Sequence, residues 1–398
     1  MNIDATVYEA AVPMRRPFTH AGRARDRSES VLLRLRLDGA VGWGEAAPRP
    51  YVTGETVPGV LRAFEGVDLP GLVARIDSGS LDGALASLAA LDLPELGGAS
   101  GPAPAAAAAL ETALLDAVCR LHGRPASEAL YRAGLPDAML RPRPGPVPVA
   151  LVADLSRDPA AMLDALPPAT LQRLTHVKVK ATPDVAACLR RLPGVRSRVG
   201  PGTSVSLDVN AAWEVGEMLA AAPALAAAGL SWIEEPTRPR QWSALRRLRE
   251  HGVRVMLDES FADATDLARA AEAGAADLVN IRVSKCGGPL RAARLAARAR
   301  QAGLGFQLGV QVGEVGPLWA AGRLLGTVLA GAVTVEAGRQ DEWFPPELTE
   351  PAYRVDRARY LAPPLTGEGI GLVPTGALLE RCRAHARWET GDRAWVPA

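Results

Sequence analysis

A repeated unit fills the sequence from residue 147 onward. Short apolar segments alternate with Ala- and Leu-rich amphipathic patterns or polar loops, and the unit recurs roughly every 25 to 30 residues. Eight such units favour a parallel barrel over an open doubly wound sheet, which usually ends at about five or six strands. The predicted strands are 147–152, 176–181, 204–209, 230–234, 253–258, 278–284, 305–310 and 332–336. In such a barrel the carboxyl ends of all strands face one mouth.

Three carboxylates end successive predicted strands. Asp208, Glu234 and Asp258 stand 26 and 24 residues apart, one barrel unit each. Carboxylates without neighbouring His or Cys select Mg²⁺ or Mn²⁺ over zinc, and Mg²⁺ keeps positions open for water and substrate oxygens. The triad therefore predicts a hard-cation site. The alternative is an acidic barrel mouth in which these acids only pair with arginines.

Three lysines also lie at predicted strand ends. Lys178 and Lys180 alternate along one strand, so both point to the same face. Burial and a neighbouring positive charge are expected to lower the pKa of lysines in such a strand towards the range of a general base. Lys285 ends a strand roughly opposite in the ring, and the two glycines after Cys286 let the backbone approach a ligand. The alternative is that these lysines neutralise the acids structurally.

The regions outside the barrel have a different pattern. Alternating apolar residues predict an antiparallel meander with strands at 3–12, 30–37 and 41–46. The polar and basic segment 15–29 is predicted to be a loop between the first two strands. Further segments are predicted as a connector at 97–104, a helix over 105–131, a Pro-rich boundary at 141–148, a late strand at 367–374 that returns to the meander, and a closing helix at 377–387.

Charge and composition exclude several classes of partner. Lys and Arg number 45 against 44 Asp and Glu, a net charge of +1, and no basic run indicates nucleic-acid binding. The four cysteines lie far apart without a CxxC motif, which argues against a disulfide framework or a zinc site. The sequence has neither a signal-peptide pattern nor an apolar run of about 18 residues, so we expect a cytoplasmic protein without membrane contact.

Five motifs in this order resemble the muconate lactonizing enzyme subgroup of the enolase superfamily. They are the Lys-x-Lys strand, the three acids in their Leu-Asp-Val-Asn, Ile-Glu-Glu-Pro and Leu-Asp-Glu-Ser contexts, and Ser-Lys-Cys-Gly-Gly. The resemblance covers nearly the whole chain. It implies an α/β fold with a modified (β/α)7β TIM-type barrel at 145–345. An α+β capping domain would comprise residues 1–135, and residues 346–398 would return to it.

The resemblance also implies a chemistry. Asp208, Glu234 and Asp258 would bind Mg²⁺, with Mn²⁺ as the alternative metal. Lys180 and Lys285 would be the two acid/base groups and Lys178 an electrostatic helper. The implied reaction is abstraction of a proton α to a carboxylate through an enediolate intermediate, giving racemisation or epimerisation of an amino-acid-like or other carboxylate. The alternative is cycloisomerisation or β-elimination, as in muconate cycloisomerase, o-succinylbenzoate synthase or acid dehydratases.

The substrate-binding residues are harder to assign. Dipeptide epimerases of the subgroup carry Asp-x-Asp on the last barrel strand, whereas 335–338 here retains only one acid. The resemblance places further contacts in 15–29, in 51–55 and after the seventh strand, although loop charges there could equally be solvated. The predicted substrate contacts are His20, Arg23, Arg25, Tyr51, Asn210, Glu259, Glu314 and Glu336. We expect a small-molecule carboxylate as substrate and a homo-oligomeric enzyme.

Overall fold

An antiparallel sheet unites the two ends of the chain. The computed structural model describes residues 2–20, 23–91, 101–155 and 157–398, together with Leu93. The N-terminal strands are β1 (Ile3–Ala10), β2 (Pro13–His20), β3 (Arg23–Arg27), β4 (Ser30–Leu37) and β5 (Ala40–Ala46). The strand β1 pairs with β4 and β4 with β5. In β1 the alternate apolar side chains Ile3, Ala5 and Val7 are buried on one face.

The segment predicted as the loop 15–29 is instead part of a β-hairpin. Strands β2 and β3 pair antiparallel, with Phe18 opposite Arg25 and His20 opposite Arg23. The loop prediction was wrong because the hairpin is polar along most of its length and lacks an alternating apolar pattern. Phe18 of this hairpin lies edge-on to Trp343, with the ring centroids 5.7 Å apart.

A group of helices follows these strands, and two of them, Val57–Glu65 and Pro104–Leu121, contact the sheet. The helices are α1 (Val57–Glu65), α2 (Leu69–Val73), α3 (Leu81–Ala90), α4 (Pro104–Leu121) and α5 (Ala126–Tyr131). The predicted single helix over 105–131 is therefore two helices, since Gly123 has a φ of 62° and Pro125 follows it. Gly42 and Gly44 let β5 approach α4 closely, because a Cβ atom at either would overlap a main-chain oxygen of that helix. Residues 97–100 of the predicted connector lie outside the described residues.

The second sheet is an eight-stranded parallel barrel sheet in strict sequence order. Its strands are β7 (Leu151–Ala153), β8 (His176–Lys180), β9 (Ser204–Asp208), β10 (Trp232–Glu234), β11 (Val255–Leu257), β12 (Leu278–Ile281), β13 (Gly305–Leu308) and β14 (Ala332–Val335). A hydrogen bond of 2.9 Å from Ala150 N to Val335 O joins the first and last strands. The eight predicted strands are confirmed except at 147–150, since β6 (Val147–Pro148) pairs elsewhere.

Helices connect these strands on the outside of the barrel. They are α6 (Pro159–Asp164), α7 (Pro168–Leu171), α8 (Val185–Arg196), α9 (Val215–Ala220), α10 (Ala222–Ala227), α11 (Trp242–Glu250), α12 (Ala264–Glu272), α13 (Pro289–Gln301) and α14 (Pro317–Val328). The fold is therefore the predicted (β/α)7β barrel with an α+β cap. The domain boundaries at 135, 145 and 345 stay predictions.

The C-terminal prediction was wrong in two places. After α15 (Gln340–Trp343) come β15 (Thr349–Glu350), β16 (Leu361–Ala362), β17 (Val373–Pro374), α16 (Gly376–Leu379), β18 (Cys382–Glu389) and β19 (Val396–Pro397). The late strand β17 pairs with β15, and β18 is the strand that returns to β1. The predicted helix 377–387 is mostly strand because Ala386 and Trp388 bury one face with a period of two.

Two buried carboxylates join the cap to the barrel. Glu45 of β5 accepts hydrogen bonds from Val315 N at 2.8 Å, Gly316 N at 3.0 Å and Leu318 N at 3.2 Å, at the start of α14. Glu111 of α4 accepts one from Leu290 N at 2.7 Å, in the first turn of α13. Each acid satisfies main-chain donors that a helix start leaves unpaired. The cap is thereby fixed over the barrel mouth.

The structure bears on two features predicted from composition, the state of the cysteines and the apolar character of the helices. All four cysteines are free, and three of them are buried. Among the described helices, none combines the length and the apolar character needed to cross a membrane. The structure therefore supports the prediction that the cysteines form no disulfide framework.

Candidate active site

The three predicted carboxylates meet at the barrel mouth. Asp208 and Glu234 are the last residues of β9 and β10 and face each other in the parallel ladder. Asp258 follows β11 directly. All three are at most 1% exposed, so each needs a partner to remain charged.

Two cations span the gaps between these acids. Lys178 Nζ lies 2.5 Å from Glu234 Oε2 and 3.5 Å from Asp208 Oδ2. Arg282 Nη2 contacts Asp258 Oδ2 and lies 3.8 Å from Glu234 Oε1. The mouth is therefore an alternating row of acids and bases.

The other two predicted lysines flank this row. Lys180 Nζ donates to Asp208 Oδ2 at 2.6 Å and to Asn210 Oδ1 at 2.9 Å. Lys285 Nζ donates to both the main-chain oxygen and Oδ1 of Asp258, each at 2.7 Å. The two ammonium groups thus bind the first and the last member of the triad.

Burial and charge perturb the site strongly. Burial and the nearby charge of Asp208 raise the pKa of Glu234 to about 7, although Lys178 opposes this. The predicted lowering of lysine pKa is wrong for Lys178. Burial lowers its pKa, but the carboxylates of Glu234, Glu336 and Asp208 together outweigh burial and raise it above the ordinary value. Lys178 is thus held charged, as an electrostatic role requires.

Sequence reasoning missed Arg282 and two amides that hold Glu234. Asn280 Nδ2 donates to Glu234 Oε1 at 2.8 Å, and Gln307 Nε2 lies 3.5 Å from Oε2. Both amides are fully buried, and they face each other across β12 and β13. The signal was present, because a lone polar residue within an apolar strand needs a buried partner.

The donor chemistry suits a hard divalent cation. The triad offers carboxylate oxygens, which Mg²⁺ prefers. In the part of the chain that the structure describes, no three His, Cys, Asp or Glu side chains converge closely enough to hold an ion as they stand. Lys178 and Arg282 occupy the gaps between the acids. A metal at the triad would therefore compete with these two cations for the same oxygens.

A cavity of about 240 Å³ opens beside Lys180. Five of the predicted site residues line it: Tyr51, Lys180, Asp208, Asn210 and Glu336. Glu336 also lies 2.5 Å from Lys178 Nζ through Oε1. Lys285 instead lines a neighbouring groove of about 600 Å³ together with Thr53 and Arg291. The two proposed acid/base lysines therefore line different hollows and contact opposite ends of the acid row.

The remaining predicted contacts whose side chains the structure describes, Arg25, Glu259 and Glu314, do not line this cavity. Glu259 is buried and accepts from Asn210 Nδ2 at 3.3 Å, while its Oε2 has no hydrogen-bond partner within the described residues. Burial and the charge of Glu45 raise the pKa of Glu314 to about 8. Arg25 pairs with Glu29 and does not line the cavity. The side chains of His20 and Arg23 lie outside the described residues.

Comparisons with known proteins agree with this geometry. The family model for the mandelate racemase / muconate lactonizing enzyme N-terminal domain matches residues 2–130. The enolase C-terminal domain-like model matches residues 162–376. Together the two models match most of the chain. One model matches the N-terminal part of the cap, and the other matches most of the barrel.

Individual relatives span most of the chain. A hydrophobic dipeptide epimerase of Citrifermentans bemidjiense is 30% identical over 319 residues, which cover 78% of this chain and 81% of the relative. An N-succinyl-L-Arg/Lys racemase of Bacillus cereus is 25% identical, covering 77% and 79%. The crystal structure of a dipeptide epimerase from Cytophaga hutchinsonii, complexed with Mg and the dipeptide D-Ala-L-Val, has a TM-score of 0.78 at 19% identity and covers 96% of this chain and 99% of its own. This last likeness shows the fold.

Proposed function

The chain belongs to the mandelate racemase / muconate lactonizing enzyme family and is an isomerase of the enolase superfamily, and from this premise we propose that it racemises or epimerises a carboxylate substrate with the aid of Mg²⁺. One observation carries the proposal. Lys180 and Lys285 bind opposite ends of a row of three buried carboxylates on successive strands. A substrate carbon beside this row would have an amine on each side.

The proposed metal ligands are Asp208, Glu234 and Asp258, with Mn²⁺ as the alternative metal. The dipeptide epimerase from Cytophaga hutchinsonii, which shares the fold, was crystallised with Mg. When bound, Mg²⁺ would supply the Lewis acid that makes the proton α to a carboxylate acidic enough for an amine to remove. Asn280 supports this role, since its hydrogen bond fixes the orientation of Glu234.

The chain's own residues would move the proton. Lys180 lines the cavity and is oriented by Asp208 and Asn210, so its Nζ would accept the α-proton of one stereoisomer. Lys285 would return a proton from the other face, and its Nζ must turn from Asp258 to do so. Lys178 stays charged between Glu234 and Asp208 and would offset negative charge that develops on the substrate carboxylate. Tyr51, Asn210 and Glu336 are the proposed substrate contacts in the cavity wall.

A one-base reaction is the second candidate. Only Lys180 of the three lysines lines the 240 Å³ cavity. This observation favours a cycloisomerisation or β-elimination in which Lys180 is the base and Lys285 acts through its charge.

Deuterium exchange tests the proposed function. The enzyme, supplied with Mg²⁺ in D₂O, is incubated with N-acyl amino acids, dipeptides, muconates and succinylbenzoate precursors. We expect α-deuterium with inversion for at least one member and loss of exchange when a chelator removes the metal. Exchange that is independent of the metal, or turnover without any α-deuterium across the whole panel, would overturn the proposal.

A further inference from the structure

Another buried carboxylate stands next to the row of acids and has no part in the proton chemistry above. Glu235 follows Glu234 directly after β10, and it is fully buried. Because side chains alternate along a strand, Glu234 reaches the barrel mouth while Glu235 turns to the other side. In the described part of the chain, all hydrogen bonds to the Glu235 carboxylate come from Asp258 and Ser260.

These hydrogen bonds hold the turn that follows β11. Glu235 Oε2 accepts from Asp258 N at 2.8 Å and from Ser260 N at 3.0 Å, and Oε1 accepts from the Ser260 hydroxyl. The same hydroxyl accepts from Arg240 N at 2.8 Å. One side chain therefore fixes the main chain on both sides of Glu259.

The backbone of Glu235 has a left-handed conformation. Its φ is 37°, which costs free energy in a residue other than glycine. Main-chain hydrogen bonds maintain it, since Glu235 N donates to Met256 O at 2.9 Å and Ala211 N donates to Glu235 O at 2.8 Å. Glu235 thereby joins the ends of β9, β10 and β11, the three strands that carry the proposed metal ligands.

Of the three proposed ligands, Asp258 depends most on this arrangement. Asp208 and Glu234 are paired with each other inside the parallel ladder, whereas Asp258 lies just beyond the end of its strand. Its main-chain N–H is bound by the Glu235 carboxylate and not by a neighbouring strand. Mg²⁺ requires near-ideal octahedral geometry with oxygens about 2.0–2.1 Å away, so a small shift of Asp258 should weaken binding.

Resting on the proposed Mg²⁺ site, we propose that Glu235 is a positioning residue for the metal, which holds Asp258 in place through the length of its side chain and not through its charge. Two substitutions separate length from charge. Aspartate keeps the charge but is one methylene too short to reach Asp258 N and Ser260 N. Glutamine keeps the length without the charge, because its carbonyl oxygen can accept both main-chain donors and the Ser260 hydroxyl can turn to accept from the amide.

Isothermal titration calorimetry of the metal-free protein with Mg²⁺ tests this inference. We expect Glu235→Asp to raise the Kd by at least about tenfold, and Glu235→Gln to stay within about threefold of the wild type. Glu45→Asp is the matched control. Glu45 is also fully buried and accepts from a serine hydroxyl, Ser30 Oγ at 2.8 Å, and from main-chain N–H groups, but these belong to the start of α14. The control variant should have a lower Tm and the wild-type Kd.

The outcomes separate the inference from the proposed function. A wild-type Kd in Glu235→Asp overturns the inference and leaves the proposed metal site standing. A Kd for Glu235→Gln as high as that for Glu235→Asp does the same, because charge would then explain the loss, and so does an equal rise in Glu45→Asp. A wild type that binds no Mg²⁺ overturns the metal site and the inference together.

A milder variant keeps the test decisive if Glu235→Asp does not fold. Ser260→Ala removes one of the three donors to Glu235 and leaves its charge and length unchanged. We expect its Kd for Mg²⁺ to rise by about threefold. A wild-type Kd in this variant would overturn the inference.

Discussion

Replacing Arg282 by glutamine is expected to tighten Mg²⁺ binding. Arg282 is buried, contacts Asp258 Oδ2 and lies 3.8 Å from Glu234 Oε1. Burial lowers its pKa, but the charges of Asp258, Glu336 and Glu234 raise it above the ordinary value. The guanidinium is therefore a permanent positive charge among the proposed metal ligands.

The size of the effect follows from these contacts. At 3.8 Å and an effective dielectric constant of about 20, two unit charges attract by about 4 kcal/mol. Loss of hydration cancels part of this attraction. If about one third of the attraction remains, replacing the guanidinium at Glu234 costs the metal about 1.4 kcal/mol of binding free energy. This cost corresponds to a factor of about ten in the Kd for Mg²⁺. Glutamine still donates a hydrogen bond but carries no charge.

Isothermal titration calorimetry of the metal-free protein with Mg²⁺ measures this difference. We expect the Arg282→Gln variant to have a Kd about tenfold below that of the wild type and a larger rise of Tm on adding the metal. Arg249→Gln is the control, since Arg249 lies on α11, outside the barrel, and pairs with Asp277 just before β12. A variant that binds Mg²⁺ as weakly as the wild type, or more weakly, would refute competition by Arg282.

Two further predictions concern buried acids. Asp258→Asn should weaken Mg²⁺ binding in the same calorimetry, since one of three charged ligands is lost, and wild-type affinity would contradict the assignment of Asp258 as a ligand. Burial raises the pKa of Glu111 from 4.5 to about 7, so its protonation stabilises the fold at low pH and that stability is lost as the pH rises from 4.5 through about 7. At about 1.4 kcal/mol per pH unit, the free energy of unfolding should fall by about 3 kcal/mol over this pH interval. Chemical unfolding of the wild type and of Glu111→Gln is measured between about pH 5 and pH 8. We expect the variant to lack this part of the fall in unfolding free energy. Wild-type and variant unfolding curves that change in parallel with pH would contradict the role of Glu111.

The acid and lysine positions could be predicted because parallel strands obey simple geometry. A strand alternates its side chains, and successive barrel strands end at the same mouth. The spacing of Asp208, Glu234 and Asp258 by one unit each therefore sufficed to place them side by side. The same geometry put Lys178 and Lys180 on one face of β8.

Features that depend on distant partners could not be predicted in this way. The pKa of Lys178 is raised because Glu336, more than 150 residues later in the chain, joins Glu234 and Asp208 around it. Arg282 follows an apolar strand, and its own sequence context does not show its partners. Only the packing of β12 beside β11 and β10 brings it to Asp258 and Glu234. The helix predicted at 377–387 was wrong for the same reason, since its Ala- and Arg-rich composition suits a helix while pairing with β1 makes it a strand.

The stereochemistry of proton exchange tests the central claim most directly. With a substrate identified from the panel, α-deuterium incorporation is followed separately from each enantiomer for the wild type, Lys180→Ala and Lys285→Ala. If both lysines are acid/base groups, Lys180→Ala should abolish exchange from one enantiomer and retain it from the other, and Lys285→Ala should show the mirror pattern. Exchange from both enantiomers that is unchanged in both variants would contradict the assignment of these lysines.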